Sequence, residues 1–183
     1  MTHHFPLAQH RQLGYEPVQV DQLVATARAQ FADERRTLIT ATELRKAEFD
    51  LVRGGYQIAA VDSAIDRLDD ALSQIEISAV LRHHGRELIE NVLSEAADLL
   101  FSRISRPRGK RFDSMGWLLR GYSRKQVDEL VEIVELHLTS GSKLNLEQVR
   151  RVIFKSRRGG YSEAQVDAFI DKTIEVLQLE KNS

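Results

Sequence analysis

Few residues in this 183-residue chain have the type and spacing of a reaction centre. His83, His84 and Glu87 could be interpreted as metal ligands, but a third ligand is not evident and the HExxH order is absent. A histidine pair at a helix end is the favoured interpretation, so no metal site is predicted. The chain also has no GxGxxG, P-loop or GxSxG motif. We therefore expect no enzymatic activity and no cofactor.

The composition of the chain limits the kinds of chemistry and partner that we expect for it. It has no cysteine, which removes thiolate catalysis and disulfides and suits a reducing cytoplasm. Its net charge of −1 means that any electrostatic partner has to be bound by a local patch. The string RRGGY at 157–161 is similar to the RGG tracts of nucleic-acid-binding proteins. One such patch in a near-neutral chain does not make nucleic acid an expected partner.

A phrase built on Gly-Tyr occurs four times. In each copy glycine precedes tyrosine, valine follows five residues later and aspartate six residues later. Copies one to four contain, in order, Gly14, Tyr15, Val20 and Asp21; Gly55, Tyr56, Val61 and Asp62; Gly121, Tyr122, Val127 and Asp128; and Gly160, Tyr161, Val166 and Asp167. Agreement at so many positions indicates an internal repeat.

Each position of the phrase has a physical reason. Glycine allows either a positive φ or a close approach of two backbones where the chain reverses. The aspartate falls early in the following helix, where a carboxylate favours the positive end of the dipole, and this role is favoured over a catalytic one. Capping boxes are predicted at Ser123 with Gln126 and at Ser162 with Gln165, and Pro17 is predicted as the first residue of its helix.

A phenylalanine precedes every tyrosine, at two alternating distances. Ten residues separate the two in copies one and three, and seven in copies two and four. The phenylalanines are Phe5, Phe49, Phe112 and Phe154. The cap patterns TATE at 40–43 and NLEQ at 145–148 predict a short helix before Phe49 and before Phe154. The simplest history is a two-copy unit that was duplicated as a block.

The chain is predicted to be all-α, because no stretch shows the sustained alternation of a strand. We expect tandem helix–turn–helix repeats, or helical hairpins, in two duplicated halves joined by a longer helical segment. The helix after copy two should end or bend at HHG, 83–85. A second helix should follow, with one apolar stripe. The predicted stripe contains Leu88, Val92, Ala96 and Leu99.

The domain boundary is predicted in a basic segment. RISRPRGKR, 103–111, interrupts the helical pattern with proline and glycine. It would link an N-terminal half, residues 1–102 with copies one and two, to a C-terminal half, residues 112–183 with copies three and four.

The order of these residues resembles a known family. A phenylalanine, a basic residue, Gly-Tyr, four residues, Val-Asp and an apolar helix are similar to the N-terminal domain of DivIVA-type cell-division and polar-growth proteins. Four copies in one short chain resemble an actinobacterial DivIVA-domain repeat protein, and the motif regions cover about two thirds of the sequence. The resemblance implies a domain that dimerises through a parallel coiled coil. It also implies a loop before Gly-Tyr that places an apolar side chain and a flanking Arg or Lys into the membrane.

Copy three carries the resemblance furthest, in its loop FDSMGWLLRGY at 112–122. The resemblance implies an apolar wedge of Trp117, Leu118 and Leu119, with Arg120 at the position of the family's basic residue. Basic residues upstream would add attraction to an anionic leaflet. The membrane-binding candidates are Trp117, Leu118, Leu119, Arg120, Arg108, Lys110 and Arg111. A solvated linker followed by a tryptophan in the core is the alternative that stays open.

The other copies depart from the family pattern. Arg53 in copy two, and Arg157 with Arg158 in copy four, would be secondary basic tips without an apolar wedge. Copy one has Leu13 where the basic residue should be. Some copies are therefore expected to serve as structure or as a partner surface.

The function that the resemblance implies is a non-enzymatic scaffold or adaptor of bacterial cell division or polar growth. Its partners would be other cell-division or polar-growth proteins, among them a DivIVA homologue, and the anionic inner membrane, bound through residues 103–120. The protein would then be cytoplasmic and peripheral at the inner face of the cell membrane. The alternative is a soluble self-associating helical module, a homo-oligomer without membrane binding.

Overall fold

A computed structural model of the protein describes residues 5–9, 11–32 and 37–182. The chain is mostly helical and divides into two compact units, Met1–Arg82 and His83–Ser183. We call them the N-terminal unit and the C-terminal unit. Copies one and two of the Gly-Tyr phrase lie in the first, and copies three and four lie in the second.

The N-terminal unit follows the order strand, helix, short helix, strand, long helix. Its elements are β1 Leu13–Tyr15, α1 Pro17–Ala32, α2 Ala41–Arg45, β2 Leu51–Arg53 and α3 Ile58–His84, whose last two residues belong to the C-terminal unit. Helix α1 begins at Pro17, as predicted, because the fixed φ of proline suits the first helical position. The Thr40 side chain accepts a hydrogen bond from the Glu43 backbone, and the Glu43 side chain accepts one from the Thr40 backbone. The predicted capping box at the start of α2 is therefore confirmed.

The C-terminal unit begins with one more helix and then follows the same order. Its elements are α4 Arg86–Ile104, β3 Arg120–Tyr122, α5 Arg124–Ser140, α6 Leu146–Arg150, β4 Ser156–Arg158 and α7 Glu163–Asn182. The predicted break between α3 and α4 is confirmed at Gly85, whose φ of 77° is left-handed. Asn145 caps α6, although its side chain accepts from the backbone of Glu147 and not of Gln148.

Two short antiparallel sheets depart from the prediction of an all-α chain. Strand β1 pairs with β2, and β3 pairs with β4, in equivalent registers. The Gly-Tyr segments were expected to be turns, but those of copies one and three lie in the three-residue strands β1 and β3. In copies two and four the strand precedes Gly-Tyr, and the tyrosine forms isolated β-bridges. Three residues are too few to display the alternation that identifies a strand in a sequence, and the central glycine weakens the signal further.

The valine five residues after each tyrosine is buried in its unit. All four valines are 0% exposed. Val20 and Val61 pack with the buried Tyr56, while Val127 and Val166 pack with the buried Tyr161. Complete burial of a valine side chain is worth roughly 1.5–3 kcal/mol. The phrase therefore encodes the centre of each core as well as the chain reversal.

The boundary between the units differs from the predicted linker. The chain divides between Arg82 and His83, so the segment 103–111 lies inside the C-terminal unit. The reason is that α4 buries Leu100 and Ile104 in the same cluster as the residues of α5 and α7. The basic segment connects α4 to the rest of its own unit.

Helix α4 packs through a face next to the predicted one. Leu88 and Leu99, both in the predicted stripe, are exposed, whereas Ile89 and Leu100 are buried. The helix carries apolar residues on two adjacent rows, and spacing alone does not tell which row faces the core.

Candidate functional site

The chain segments of the two copies in a unit cross at the glycine that precedes each tyrosine. A Cβ atom on any of these glycines would overlap the tyrosine carbonyl oxygen of the other copy in the same unit. The four positions are Gly14, Gly55, Gly121 and Gly160. Close approach is thus the reason for these glycines, while the positive φ belongs to Gly54 and Gly159, one residue earlier in copies two and four.

Each tyrosine ring packs on the phenylalanine of the other copy in its unit. The ring centroids are 5.3 Å apart in Phe5–Tyr56, 5.1 Å in Phe49–Tyr15, 5.3 Å in Phe112–Tyr161 and 5.2 Å in Phe154–Tyr122. Aromatic pairs of this kind contribute about 0.5–1.5 kcal/mol beyond their buried area. The two copies of a unit therefore exchange aromatic contacts.

The hydrogen bonds of the tyrosine hydroxyls also run between the two copies of a unit. Each donates a hydrogen bond to the aspartate of the other copy, at 3.1 Å for Tyr56 and 3.0 Å for Tyr161. The donor–acceptor pairs are Tyr15–Asp62, Tyr56–Asp21, Tyr122–Asp167 and Tyr161–Asp128. The aspartate, which was predicted to serve the helix dipole, is also the acceptor that a largely buried phenol requires.

Titration of one such pair fits a structural role. Burial, followed by the charge of Asp167 and the hydrogen bond to it, raises the pKa of Tyr122 above its ordinary value. Burial also raises the pKa of Asp167, while the hydrogen bond from Tyr122 acts in the opposite direction. A tyrosine with a raised pKa keeps its proton at neutral pH and so remains a hydrogen-bond donor.

The glutamine four residues after a tyrosine holds the backbone of the other copy. Gln165 accepts from the backbone of Asp113 at 3.0 Å and donates to its carboxylate at 2.6 Å. Gln126 accepts from the backbone of Lys155 at 2.8 Å, and Ser123 makes no side-chain cap. The capping box predicted at the start of α5 is therefore wrong. Its glutamine makes a tertiary contact instead, and so does the glutamine predicted to cap α7.

Arg111 was predicted to bind the membrane and is buried instead, with 5% of its surface exposed. Its Nη1 donates to the carbonyl oxygen of Asp128 at 2.9 Å, and its Nε lies 3.9 Å from the Asp128 carboxylate. Its backbone N–H donates to the hydroxyl of Tyr161. The buried carboxylate needs a countercharge, which Arg111 supplies. Its neighbour Arg108 is half-exposed but pairs with Glu132 at 3.1 Å.

Arg124 fixes the loop that leads to β3. Its guanidinium donates to the carbonyl oxygens of Gly159 at 2.8 Å and Gly109 at 3.1 Å, and to the hydroxyl of Ser114 at 2.6 Å. It also lies over the ring of Tyr161, 5.7 Å from the centroid. Arg124 was not among the predicted site residues. Its position in the first turn of a helix could have indicated a special role. A positive charge there is unfavourable next to the positive end of the helix dipole, unless other groups accept hydrogen bonds from it.

The copy-three loop, 112–122, carries an exposed apolar tip. Trp117, Leu118 and Leu119 are 80%, 69% and 58% exposed. We call these three residues the apolar tip. The backbone N–H of Gly159 donates to the carbonyl of Leu119 at 3.0 Å, which ties the end of the tip to β4. The tryptophan thus faces solvent, and the alternative of a core tryptophan is wrong.

Exposed arginines lie beside the apolar tip. Arg120 follows it directly and is in register with Arg158 on β4, and Arg157 occupies the next register position. Within 5–9, 11–32 and 37–182, no carboxylate forms an ion pair with any of these three arginines. Lys110 is also exposed, as is Arg53 on β2 of the N-terminal unit.

The equivalent loop of copy one has different chemistry. His10, Arg11 and Gln12 occupy the positions of the apolar tip, and Leu13 occupies the position of Arg120. Leu13 is 54% exposed, whereas His10 lies outside the described residues. An apolar tip beside paired arginines is therefore a feature of the C-terminal unit.

None of the described helices is both long and apolar enough to cross a bilayer. Comparisons with models of protein families, with curated proteins and with solved structures found no match.

Proposed function

We propose that this chain is a non-enzymatic scaffold or adaptor of bacterial cell division or polar growth, related to the DivIVA-domain repeat proteins that its sequence resembles. In this proposal a helical hairpin unit of two copies was duplicated. The C-terminal unit attaches the protein to the anionic inner face of the cell membrane, and other surfaces bind division or polar-growth proteins, a DivIVA homologue among them.

The observation that carries the membrane part is the exposure of the apolar tip. Three consecutive large apolar side chains face water, and arginines without ion-pair partners among the described residues lie beside them. Tryptophan is favoured at the membrane interface. Stable attachment takes two signals, and an apolar insertion next to basic side chains supplies both.

The expected energies are sufficient for reversible attachment. Moving a leucine side chain out of water gains about 1.5–3 kcal/mol. Each arginine near an anionic leaflet adds about 1 kcal/mol. The apolar tip therefore contributes most of the binding free energy, and the arginines confer a preference for anionic lipid.

Co-sedimentation with vesicles of phosphatidylcholine and phosphatidylglycerol tests this function. The wild-type protein should pellet with the vesicles, and Trp117→Ser combined with Leu119→Ser should weaken binding by at least about tenfold, equivalent to 1.4 kcal/mol. Trp117 is the single tryptophan of the chain, so its fluorescence should shift to the blue on binding. A wild-type protein that stays in the supernatant would contradict the proposal.

Ile153→Ser is the matched control. Ile153 is 86% exposed, as apolar as the tip residues, and lies outside the 112–122 loop. If binding depends on the tip, this variant should pellet as well as the wild type. Equal losses in both variants would indicate general hydrophobic adsorption in place of a defined site.

A second candidate function is self-association without membrane binding. It is favoured by Ile133 and Leu136, which are 49% and 55% exposed, three residues apart on α5. Light scattering separates the two functions. Dimers or larger species that are lost in Ile133→Ser with Leu136→Ser, together with no vesicle binding, would favour this alternative.

A further inference from the structure

We infer that Arg120 and Arg158 together form one binding site for the phosphate group of an anionic lipid, built by copies three and four jointly. The inference rests on the proposed membrane function and adds to it the ligand group and a second residue, contributed by a copy that has no apolar tip.

The register brings the two side chains together. Arg120 and Arg158 are directly opposite each other in the β3–β4 pair. The hydrogen bond from the Gly159 N–H to the Leu119 carbonyl, at 3.0 Å, flanks this pair on the outside. Arg120 and Arg158 therefore occupy a non-hydrogen-bonded position, where Cα atoms are about 4.5 Å apart and both side chains project from the same face.

Two like charges in this arrangement repel each other, and a bound anion would remove the repulsion. No described carboxylate pairs with either guanidinium, and the side chain of Arg120 makes one long contact, 3.5 Å from its Nη1 to the Ser156 carbonyl. The planar donors of arginine match the oxygens of a phosphate, so two guanidinium groups on one face can bind one phosphate from two sides.

The neighbouring apolar tip favours a lipid as the source of the phosphate. Trp117, Leu118 and Leu119 precede Arg120 without a gap and are exposed. A free phosphate ion gives these side chains nothing to contact. A lipid offers a phosphate at the depth of the headgroups and hydrocarbon beneath it. The phosphate can bind the arginine pair while the hydrocarbon contacts the apolar tip.

Arg157 is the internal control. It is one residue from Arg158 and has the same charge and exposed position, but strand alternation directs its side chain to the opposite face. The N-terminal unit provides a second contrast, because Leu13 faces Arg53 at the equivalent register and no arginine pair exists there.

The test compares alanine variants of the intact chain on phosphatidylglycerol-containing vesicles. Arg157→Ala, which removes one charge near the surface, should weaken binding about fivefold. Arg120→Ala and Arg158→Ala should each weaken it by more than about tenfold, because each also loses charge-assisted hydrogen bonds. The double variant Arg120→Ala with Arg158→Ala should lose clearly less than the product of the single losses, since both residues bind the same group.

Equal losses in Arg157→Ala and Arg158→Ala, or multiplicative losses in the double variant, would overturn the shared site while leaving the membrane function intact. A wild-type protein that does not pellet would overturn both. Inorganic phosphate, titrated alone at constant ionic strength and followed by the amide signals of residues 120 and 158, separates the two sources. Binding of free phosphate as tight as binding to vesicles would overturn the assignment to a lipid.

Discussion

The N-terminal and C-terminal units share their internal construction and differ in what they present to solvent. Both pair two three-residue strands, bring the two copies into close contact at a pair of glycines and exchange tyrosine contacts between copies. Yet one loop reads HRQL at 10–13 and the other WLLR at 117–120. The glycines of the crossing are required by close packing, whereas residues 11–13 and 117–120 are exposed, so the core does not set their identity.

The two units also differ beneath the crossing. In the C-terminal unit, Asp128 is 3% exposed and is surrounded by Arg111, Tyr161 and the backbone of Gly109. In the N-terminal unit, Asp21 is half-buried and accepts from Tyr56. The start of the loop with the apolar tip is thus held by a buried ion pair.

The largest expected effect distinguishes these two aspartates. Asp128→Ala should lower the free energy of unfolding by about 3–5 kcal/mol, because the Tyr161 hydroxyl and the Gly109 N–H both lose their acceptor. The buried Arg111 also loses the nearest of its three carboxylate neighbours and keeps Glu132 and Glu135, each at 4.0 Å. Asp21→Ala should cost about 1–3 kcal/mol, because the Tyr56 hydroxyl loses the carboxylate to which it donates. Chemical denaturation of the full chain, with hydrogen exchange to assign the change to a unit, measures both. Exposed Asp98→Ala is the control, and equal losses at Asp21 and Asp128 would contradict the difference.

The next effect tests whether the two crossings are equivalent. Gly14→Ala and Gly121→Ala should each destabilise by about 2–3 kcal/mol, because the methyl group overlaps a tyrosine carbonyl. Gly116→Ala should cost only about 1 kcal/mol, since its φ is 73° but the space around it is open. Thermal unfolding of the three variants measures the order. A tolerated Gly14→Ala beside a damaging Gly121→Ala would show that the units cross differently.

A reciprocal exchange at the strand register should have a smaller effect. Arg120→Leu removes the like-charged pair and should stabilise the C-terminal unit by about 0.2–1 kcal/mol at low salt, while it weakens vesicle binding. Leu13→Arg creates such a pair opposite Arg53 and should destabilise the N-terminal unit by a similar amount. Both changes in stability should become smaller at high salt, because salt screens the repulsion between the arginines. Denaturation at two ionic strengths would measure this. Destabilisation by Arg120→Leu at low salt would be the opposite result.

The smallest effect concerns pH and the N-terminal unit. Burial raises the pKa of Glu76, against the hydrogen bond from the Ala41 backbone, which is 2.9 Å long. Between the ordinary and the raised pKa the folded state binds more protons than the unfolded state, so stability falls as the pH rises through that window. This loss of stability should be less than about 1 kcal/mol, because solvent screens the side chain. Glu76→Gln keeps an acceptor for the Ala41 N–H and should abolish the pH dependence. Hydrogen exchange measured from mildly acidic to neutral pH should show the change in the N-terminal unit and no change in the C-terminal unit.

Part of this architecture could be predicted from the sequence. The period of the Gly-Tyr phrase placed α1, α3, α5 and α7, and the TATE pattern gave the cap of α2. Local signals suffice there, because a cap and a helix start depend on residues three or four apart. The short strands escaped prediction because each pairs with a strand of the neighbouring copy, about forty residues away.

The role of single polar residues depended on the same distant partners. Gln19 binds Asp50 and Gln165 binds Asp113, but in the sequence a glutamine four residues after tyrosine is equally a surface residue or a helix cap. Arg111 was predicted to be part of an exposed basic run, because no residue near it in the sequence indicates that it pairs with Asp128. The exposure of Trp117 could not be derived either, since a loop tryptophan fits a core and a surface equally well.

The exchange of rings and carboxylates within a unit limits how such a chain can gain or lose parts. A single copy would not fold alone, because its tyrosine would lack the aspartate acceptor and its phenylalanine would lack the ring on which it packs. Copies should therefore be added or deleted by twos. A backbone cut at 141–145, between α5 and α6, should yield two fragments that reassemble into a native-like whole only when both are supplied.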